Sequence, residues 1–221
     1  MKKSMDVFGQ ALLDYSRGDK DKFFFEDSNG NRYQHPLSKY FRDFKTFTKL
    51  EKKIISKTKG EILDLGCGTG NYIPYLNKKG KVLGIDISPN VIEVAKEKYG
   101  LRNVKVADIF KFKTSKKFDT IVLLENNLGM AGTLKKTKQL LKILANLLKK
   151  DGQILTNAWN VPKRTYYEGE LSPVWKEKKG QKFKWISFNA KFLKGLCEEV
   201  GLNFEIVDRD RYHYLAKITK K

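Results

Sequence analysis

The residues that could do chemistry are concentrated in one short run, residues 64–70, with the sequence DLGCGTG. An acid and three alternating glycines follow an apolar stretch. Glycine lets the backbone turn tightly and approach a ligand closely, and free N–H groups at the start of a following helix attract an anion. Asn71 stands where the dinucleotide-binding pattern G-x-G-x-x-G has its third glycine. The run indicates a ligand-binding loop, and a simple glycine turn is the alternative.

A second acid, Asp86, lies about twenty residues beyond the first, at the end of the next apolar stretch. An acid in this position can accept hydrogen bonds from both hydroxyls of a ribose. Ser88 and Pro89 follow it, and both residue types are typical of the beginning of a helix. Asp86 therefore predicts ribose binding, with a structural role at the helix start as the alternative.

The two patterns together resemble the class I S-adenosylmethionine (SAM)-dependent methyltransferases, whose first motif is D/E-x-G-x-G-x-G after the first strand. The resemblance implies that Asp64 contacts the amino group of SAM, directly or through water, while Gly66, Gly68 and Gly70 wrap around its methionine part. It implies ribose binding by Asp86. The residues implied in SAM binding are Asp64, Gly66, Cys67, Gly68, Gly70, Asp86, Ile87, Asp108, Ile109 and Glu125.

A third acid, Asp108, follows the third short apolar run. In the family that it resembles, an aspartate at this ordinal position takes the adenine amino group. The neighbouring apolar residue, here Ile109 or Phe110, then packs on the adenine ring. An aspartate in a loop is weak evidence alone, so its position in the series of strands carries this prediction.

The acceptor side is expected after the fourth strand, at Glu125, Asn126 and Asn127, because the carboxyl ends of parallel strands line the ligand crevice in such folds. Glu125 could orient an amine or act as a base, and it could equally bind only water or the cofactor. His35 and Tyr40 are weaker candidates from the N-terminal segment, where packing alone is the alternative role.

Three hypotheses follow for function. The first is methyl transfer to a nitrogen or oxygen atom of a small molecule. The second is transfer to RNA or an acidic protein, although the chain lacks the N/D-P-P-Y/F motif, the Lys-Asp-Lys-Glu set and the cysteine motifs of nucleic-acid methyltransferases. The third is a SAM-binding module without catalysis that regulates a partner.

The elements that must position these residues alternate between strands and helices. The apolar pattern predicts seven strands, at 61–65, 81–85, 104–106, 118–124, 153–158, 203–207 and 212–218. It predicts helices at 7–15, 40–55, 71–79, 89–99, 133–149 and 189–200. We therefore expect an α/β fold: a Rossmann-like, doubly wound, mostly parallel seven-stranded sheet with a C-terminal antiparallel hairpin.

One domain is expected over residues 1–221. Residues 1–59 are predicted to form an N-terminal helical cap, and residues 160–186, which are rich in aromatic side chains, an insertion or lid. In small-molecule members of the class, an N-terminal segment folds over the cofactor pocket, so this cap could help to line an acceptor pocket.

Composition limits the other possibilities. The net charge is +20, but only seven of the 45 basic residues are arginine, and the lysines are spread along the whole chain. Dispersed lysine is weaker evidence for nucleic acid than clustered arginine. Two cysteines and two histidines without metal-type spacing argue against a metal site. No apolar run is long enough to span a membrane, and a cytoplasmic location is the default expectation.

Overall fold

The computed structural model describes residues 5–221, which form two β-sheets and six α-helices. In chain order the strands are β1 (Phe23–Asp27), β2 (Arg32–Gln34), β3 (Gly60–Leu65), β4 (Gly80–Asp86), β5 (Val104–Val106), β6 (Phe118–Leu123), β7 (Leu148–Trp159), β8 (Tyr166–Trp175), β9 (Lys178–Lys179), β10 (Phe183–Phe188), β11 (Leu202–Arg209) and β12 (His213–Lys220). The helices are α1 (Val7–Ser16), α2 (Lys49–Lys57), α3 (Ile73–Leu76), α4 (Pro89–Tyr99), α5 (Leu134–Leu147) and α6 (Ala190–Glu199).

The main sheet has the strand order β11-β12-β7-β6-β3-β4-β5. Strands β3 to β7 pair in parallel, and β12 joins β7 in the antiparallel sense, followed by β11. The expected Rossmann-like sheet of seven strands with a closing antiparallel hairpin is confirmed. Since the parallel strands all end at one edge, the loops after β3, β4, β5 and β6 lie along the same rim.

Alternate residues of the central strands pack into two apolar cores, one on each face of the sheet. Ile121 and Leu123 belong to the core covered by α5 and α6, whereas Val122 lies in the core beneath α2, α3 and α4. Strands buried on both faces read as continuous apolar runs, which is why FDTIVLL predicted β6. This packing fixes the height at which each strand ends, and so the positions of the acids that follow β3, β4 and β5.

The N-terminal segment contains strands that the sequence did not predict. The cap was expected to be helical, but β1 and β2 form a hairpin, and β1 also pairs with β8 of the insertion. Together with β9 and β10 they make a second, antiparallel sheet of five strands. Residues 23–34 and 166–188 therefore build one structure, although they are far apart in sequence.

Three predicted helices are shorter than the sequence suggested. The helix expected over 40–55 is confined to α2, because Thr48 caps α2 and its side chain accepts from the Glu51 N–H. A short 3-10 turn, Leu37–Phe41, precedes it. The helix expected over 71–79 is only the single turn α3. Helix α5 ends at Leu147, since Leu148 already begins β7.

Candidate functional site

The glycine loop after β3 has the backbone conformation that its sequence requires. Gly66, Gly68 and Gly70 all have positive φ, at 71°, 56° and 81°, a region that glycine enters without steric cost. A Cβ atom at Gly70 would lie 2.5 Å from Leu101 Cδ1, so the Leu101 side chain would have to move to admit one. Nothing lies within 4 Å of the Cβ position at Gly68. The middle glycine thus exposes its backbone to open space in which a ligand can lie.

Two carboxylates flank this loop. Asp64 is 1% exposed, and no described residue hydrogen-bonds its Oδ2 atom. Asp86 accepts from the Gly68 N–H (3.1 Å) and the Ser88 N–H (2.9 Å). Burial, together with the charge of Asp86, raises the pKa of Asp64 to about 7. Burial also raises the pKa of Asp86, against the effect of its backbone donors. A buried carboxylate without a partner is costly, so this arrangement is suited to a ligand that brings donors or positive charge.

The region beyond Asp86 presents apolar surface to solvent. Ile87 is 48% exposed and Val106 is 47% exposed, and Val106 is the register partner of Asp86. Asp108 is half-buried, and its Oδ1 atom accepts from the Phe110 N–H. Ile109, in contrast, is 4% exposed and packed in the core. The exposed apolar side chains beside the sequence-predicted acids are therefore Ile87 and Val106.

The three polar residues after β6 lie at the same rim and are held by different parts of the protein. Glu125 and Asn126 both have left-handed backbone conformations, with φ of 54° and 61°. The Asn127 amide donates to the carbonyls of Leu65 (3.3 Å) and Gly66 (2.8 Å), so it braces the glycine loop. The Asn126 amide donates instead to the Ser187 hydroxyl of β10. Non-glycine residues with positive φ are uncommon and are held by their surroundings.

Glu125 belongs to a charged cluster that joins the cap to the main domain. Arg42 Nη2 lies 2.5 Å from Glu125 Oε1 and 2.6 Å from Glu51 Oε1. The Tyr72 hydroxyl, next to the glycine loop, is 2.6 Å from Glu51 and 3.2 Å from Glu125. The Arg42 side chain is 20% exposed and that of Glu51 only 1%. One guanidinium therefore serves two carboxylates.

The two carboxylates of this cluster differ in proton affinity. Burial, followed by the hydrogen bond and charge of Glu51, raises the pKa of Glu125 to about 7, although Arg42 opposes the rise. Burial would also raise the pKa of Glu51, but hydrogen bonds from Glu125, Tyr72 and Arg42 outweigh it and lower that pKa well below the ordinary value. As the pH falls, Glu125 is therefore the member of the pair that takes up a proton first.

Tyr40 and His35 form a second polar pair in the cap. Tyr40 OH and His35 Nε2 share a hydrogen bond of 2.9 Å, and the Thr69 hydroxyl of the glycine loop donates to the Tyr40 carbonyl. Burial and the nearby charge of Lys39 lower the pKa of His35 to about 4, so the imidazole is neutral at pH 7. Tyr40 thus contacts the glycine loop through its carbonyl, and His35 contacts the Tyr40 hydroxyl.

Four residues of this site were not predicted as site residues. Glu51, Tyr72 and Asn157 form the surroundings of Glu125, with the Asn157 side chain accepting from the Glu125 N–H. Asp6, 3% exposed, caps α1 and also accepts from the Ser88 hydroxyl and the Asn90 N–H at the start of α4. The pattern Thr48-x-x-Glu51 did signal a capping box, but that signal gives no hint of a second role for Glu51.

Within residues 5–221, no group of three or more histidine, cysteine, aspartate or glutamate side chains is arranged to hold a metal ion. No helix in the same range is long and apolar enough to cross a membrane.

Comparison with known proteins places the chain in a family. A family model described as "Methyltransferase domain" matches residues 56–215. The malonyl-[acyl-carrier protein] O-methyltransferase of Acetivibrio thermocellus is 27% identical over 215 residues, covering 82% of this chain and 71% of that protein. The putative methyltransferase 235L of Invertebrate iridescent virus 6 is 44% identical over 64 residues, which cover 28% of this chain and only 24% of that protein.

A solved structure matches the whole fold. The SAM-dependent methyltransferase of Bacteroides fragilis, in complex with S-adenosyl-L-homocysteine, has a TM-score of 0.90 and 26% identity, covering 100% of this chain and 97% of that one. This match includes the cap and the insertion as well as the main sheet. With the acid and glycine loop, the second acid and the strand order already described, the chain belongs to the methyltransferase domain family, as a class I, Rossmann-like, SAM-dependent methyltransferase.

Proposed function

We propose that the protein transfers the methyl group of SAM to a nitrogen or oxygen atom of a small-molecule acceptor. The observation that carries this proposal is that the cap and the second sheet both contact the loops of the rim. Ser187 of β10 is hydrogen-bonded to Asn126, and the Tyr40 carbonyl of the cap to Thr69. An acceptor site with protein on both of these sides would suit a small acceptor better than a folded macromolecule.

The residues of the rim fit SAM. The orphaned Oδ2 atom of Asp64 offers an acceptor for the cofactor's amino group, and the open space beside Gly68 admits its chain. Asp86 retains acceptor capacity for ribose hydroxyls beyond the two N–H groups that it binds. Ile87 supplies exposed apolar surface for adenine, with Asp108 nearby for the adenine amino group. Cys67 and Ile109 support this wall from the core.

SAM, when bound, supplies an activated methyl group on a sulfonium sulfur. The protein's own residues then have to bind the acceptor, orient it and exclude water. Glu125, Asn126 and Asn127 stand on the acceptor side, and Tyr40 closes it from the cap. The Tyr40 hydroxyl lies within electrostatic range of both Glu125 and Asp86, so it is close to the charges of both acids. His35 keeps this hydroxyl oriented through the hydrogen bond between them.

Transfer to RNA or to an acidic protein is the second candidate, and the net charge of +20 favours it. The lysines are distributed over α2, α4, α5, α6 and the second sheet and are mostly exposed. Lysines distributed in this way are more typical of a solvated surface than of a continuous binding site for the phosphates of a nucleic acid. A SAM-binding module without catalysis remains the third candidate, and a cluster of polar groups on the acceptor side argues against it.

Label transfer tests this proposal. The protein is incubated with methyl-labelled SAM and a cell extract divided into RNA, protein and small-molecule fractions. We expect label in the small-molecule fraction. Label in RNA or protein instead would establish the second candidate. Absence of label from every fraction, with binding of S-adenosyl-L-homocysteine (SAH) confirmed by calorimetry, would favour the non-catalytic module.

A further inference from the structure

The charges at the rim have the opposite sign to those of the whole molecule. The chain carries a net charge of +20, yet the carboxylates of Asp64, Asp86, Glu51 and Glu125 gather at one edge of the sheet. Arg42 is the cation bonded within this group, and Lys39 lies within electrostatic range of Glu125. This excess of negative charge repels an anion that enters the site and attracts a cation.

The guanidinium in this group is already fully engaged. Arg42 contacts Glu51, Glu125 and the Tyr72 hydroxyl through Nη2, and Nη1 lies 3.3 Å from Glu51 and 3.4 Å from the Thr46 carbonyl. Its Nε atom donates to the Lys39 carbonyl. A carboxylate acceptor would normally be held by an arginine with two free donors. Arg42 could take that role only by giving up contacts with buried partners.

Glu125, in contrast, is the accessible carboxylate of the group. Its side chain is 39% exposed, whereas that of Glu51 is 1% exposed. The left-handed backbone of residues 125 and 126 and the hydrogen bonds from their N–H groups to Asn157 hold Glu125 at the rim. Glu125 shares its bonded cation, Arg42, with a second carboxylate, Glu51. Additional positive charge beside Glu125 would therefore be stabilising.

We propose that the methyl acceptor is an amine, which enters as an ammonium ion and is bound by the carboxylate of Glu125. This inference rests on the proposed function and narrows its substrate class.

The chemistry balances with the groups present. Glu125 takes one proton from the ammonium ion, which frees the nitrogen lone pair. The lone pair forms the new C–N bond while the C–S bond of the sulfonium breaks, and its electron pair stays on sulfur as a neutral thioether. The product is the N-methylated ammonium ion, and the proton held by Glu125 passes to solvent. Because the pKa of Glu125 is about 7, this carboxylate can take up and release a proton near neutral pH.

Chemical blocking of amines or carboxylates in the small-molecule fraction tests whether the methyl acceptor is an amine. The small-molecule fraction of a cell extract is divided into three portions: one untreated, one acylated at its amines with N-hydroxysuccinimidyl acetate, and one esterified at its carboxylates with acidified methanol. Each is incubated with the protein and methyl-labelled SAM. We expect acylation to remove label by about tenfold or more, since a site built around a polar contact rejects the blocked analogue, and esterification to leave most of it.

The possible outcomes distinguish failure of the amine inference from failure of the proposed transfer to a small molecule. Label that survives acylation but disappears on esterification would overturn the amine and identify a carboxylate acceptor. Label that survives both treatments would point to a hydroxyl and would also overturn it. No label even in the untreated portion, with SAH binding intact, would contradict transfer to a small molecule altogether, and the amine with it.

A substitution at Glu125 tests whether this residue binds the acceptor and takes its proton. We expect Glu125→Gln to reduce transfer to the labelled acceptor about 100-fold, the order expected for loss of a positioned acid–base group, and to change SAH affinity by less than about threefold. The matched control is Glu205→Gln, at an exposed position of β11, which should change neither. If Glu125→Gln weakened SAH binding by more than this limit, Glu125 would serve the cofactor and the assignment would be wrong.

Discussion

The side chain of Asp64 is a buried carboxylate with very few hydrogen-bond partners in the folded protein. Its side chain is 1% exposed, one oxygen has no partner among the described residues, and burial with the charge of Asp86 raises its pKa to about 7. Because this pKa lies above the value in an unfolded chain, the folded state binds the proton more tightly. The free energy of unfolding therefore falls as the pH rises from about 4 to about 7, and stays lowered above that.

We predict that Asp64→Asn stabilises the ligand-free protein at pH 8, by about 2–4 kcal/mol, and has much less effect at pH 4.5. The same substitution should abolish measurable SAH binding, because the amide carries no charge for the cofactor's amino group. Guanidinium denaturation at both pH values measures the first effect and calorimetry the second. Asp151→Asn, at an exposed position, is the control. An equal change in stability at both pH values would contradict the explanation.

The proton affinity of Glu125 gives a second prediction at the scale of a residue. The charge and hydrogen bond of Glu51 help to raise the pKa of Glu125, while Arg42 and Lys39 oppose that rise. Glu125 must be ionised to accept a proton, so transfer should increase as the pH rises through about 7. In Glu51→Gln this increase should occur about one pH unit lower, since glutamine keeps the capping box of α2 but removes the charge.

This pH profile is measured with the acceptor found by label transfer, and Glu177→Gln, an exposed substitution in the second sheet's turn, is the control. An unchanged midpoint in Glu51→Gln would show that Glu51 does not set the proton affinity of Glu125. A fall in rate at every pH without a shifted midpoint would indicate a purely structural role for Glu51.

The closeness of Asp64 and Asp86 could be predicted from sequence, because each acid follows its own strand in a short motif. These two residues need only the order of strands to bring them together. The charged cluster around Glu125 could not be predicted in the same way. Arg42, Glu51, Tyr72 and Glu125 come from four separate segments, and nothing in the local sequence of any one of them specifies the other three.

At the scale of elements, the second sheet is attached to the main domain through a very close contact. The short 3-10 turn after Asn126 places Gly129 against β10, where a Cβ atom would lie 2.3 Å from Trp185 Nε1 and 2.5 Å from the Ile186 carbonyl oxygen. The second of these atoms belongs to the backbone, so a side chain at residue 129 would have to push the strand away. Glycine at this position therefore allows β10 of the second sheet to pack against the loop that follows β6.

We predict that Gly129→Ala destabilises the protein by about 1–3 kcal/mol, as overpacking does, and weakens methyl transfer more than SAH binding. Gly195→Ala is the matched control. Gly195 lies in α6 with nothing within 4 Å of its Cβ position, so alanine there should stabilise by about 0.5–1 kcal/mol. Denaturation curves of the two variants measure this contrast, and a neutral Gly129→Ala would mean that β10 can move at little cost.

The main sheet was predictable, whereas the second sheet was not. Parallel strands buried on both faces leave apolar runs that are visible in the sequence, and β3 to β7 were located from them. The FFFED of β1 contains an apolar run too, but its partner β8 begins after residue 160. Pairing between strands so distant is fixed by tertiary packing. The aromatic side chains of residues 160–186 are visible in the sequence, but the pairing of β8 with β1 is not.

At the scale of the whole molecule, the surface and the site differ in sign of charge. If the lysine excess serves solubility, methyl transfer to the small-molecule acceptor should change by less than about twofold between 50 and 200 mM salt. A protein that neutralises 6–10 phosphates loses about 10³–10⁵ in affinity over the same range. Initial rates across this range measure the difference. A steep fall would mean that the acceptor, or its carrier, is a polyanion.

The pairing of β1 with β8 has a consequence for synthesis. Phe23 pairs with Trp175 and Asp27 with Leu171, so more than 140 residues separate the partners. At about 5–20 residues per second, a ribosome needs roughly 7–30 s to make that interval. During this time the aromatic β1–β2 hairpin has no β8 strand to pair with, while the parallel strands of the main sheet are still being synthesised. A nascent chain should therefore complete β3 to β7 before the second sheet, and the hairpin is the segment that a chaperone would have most time to bind.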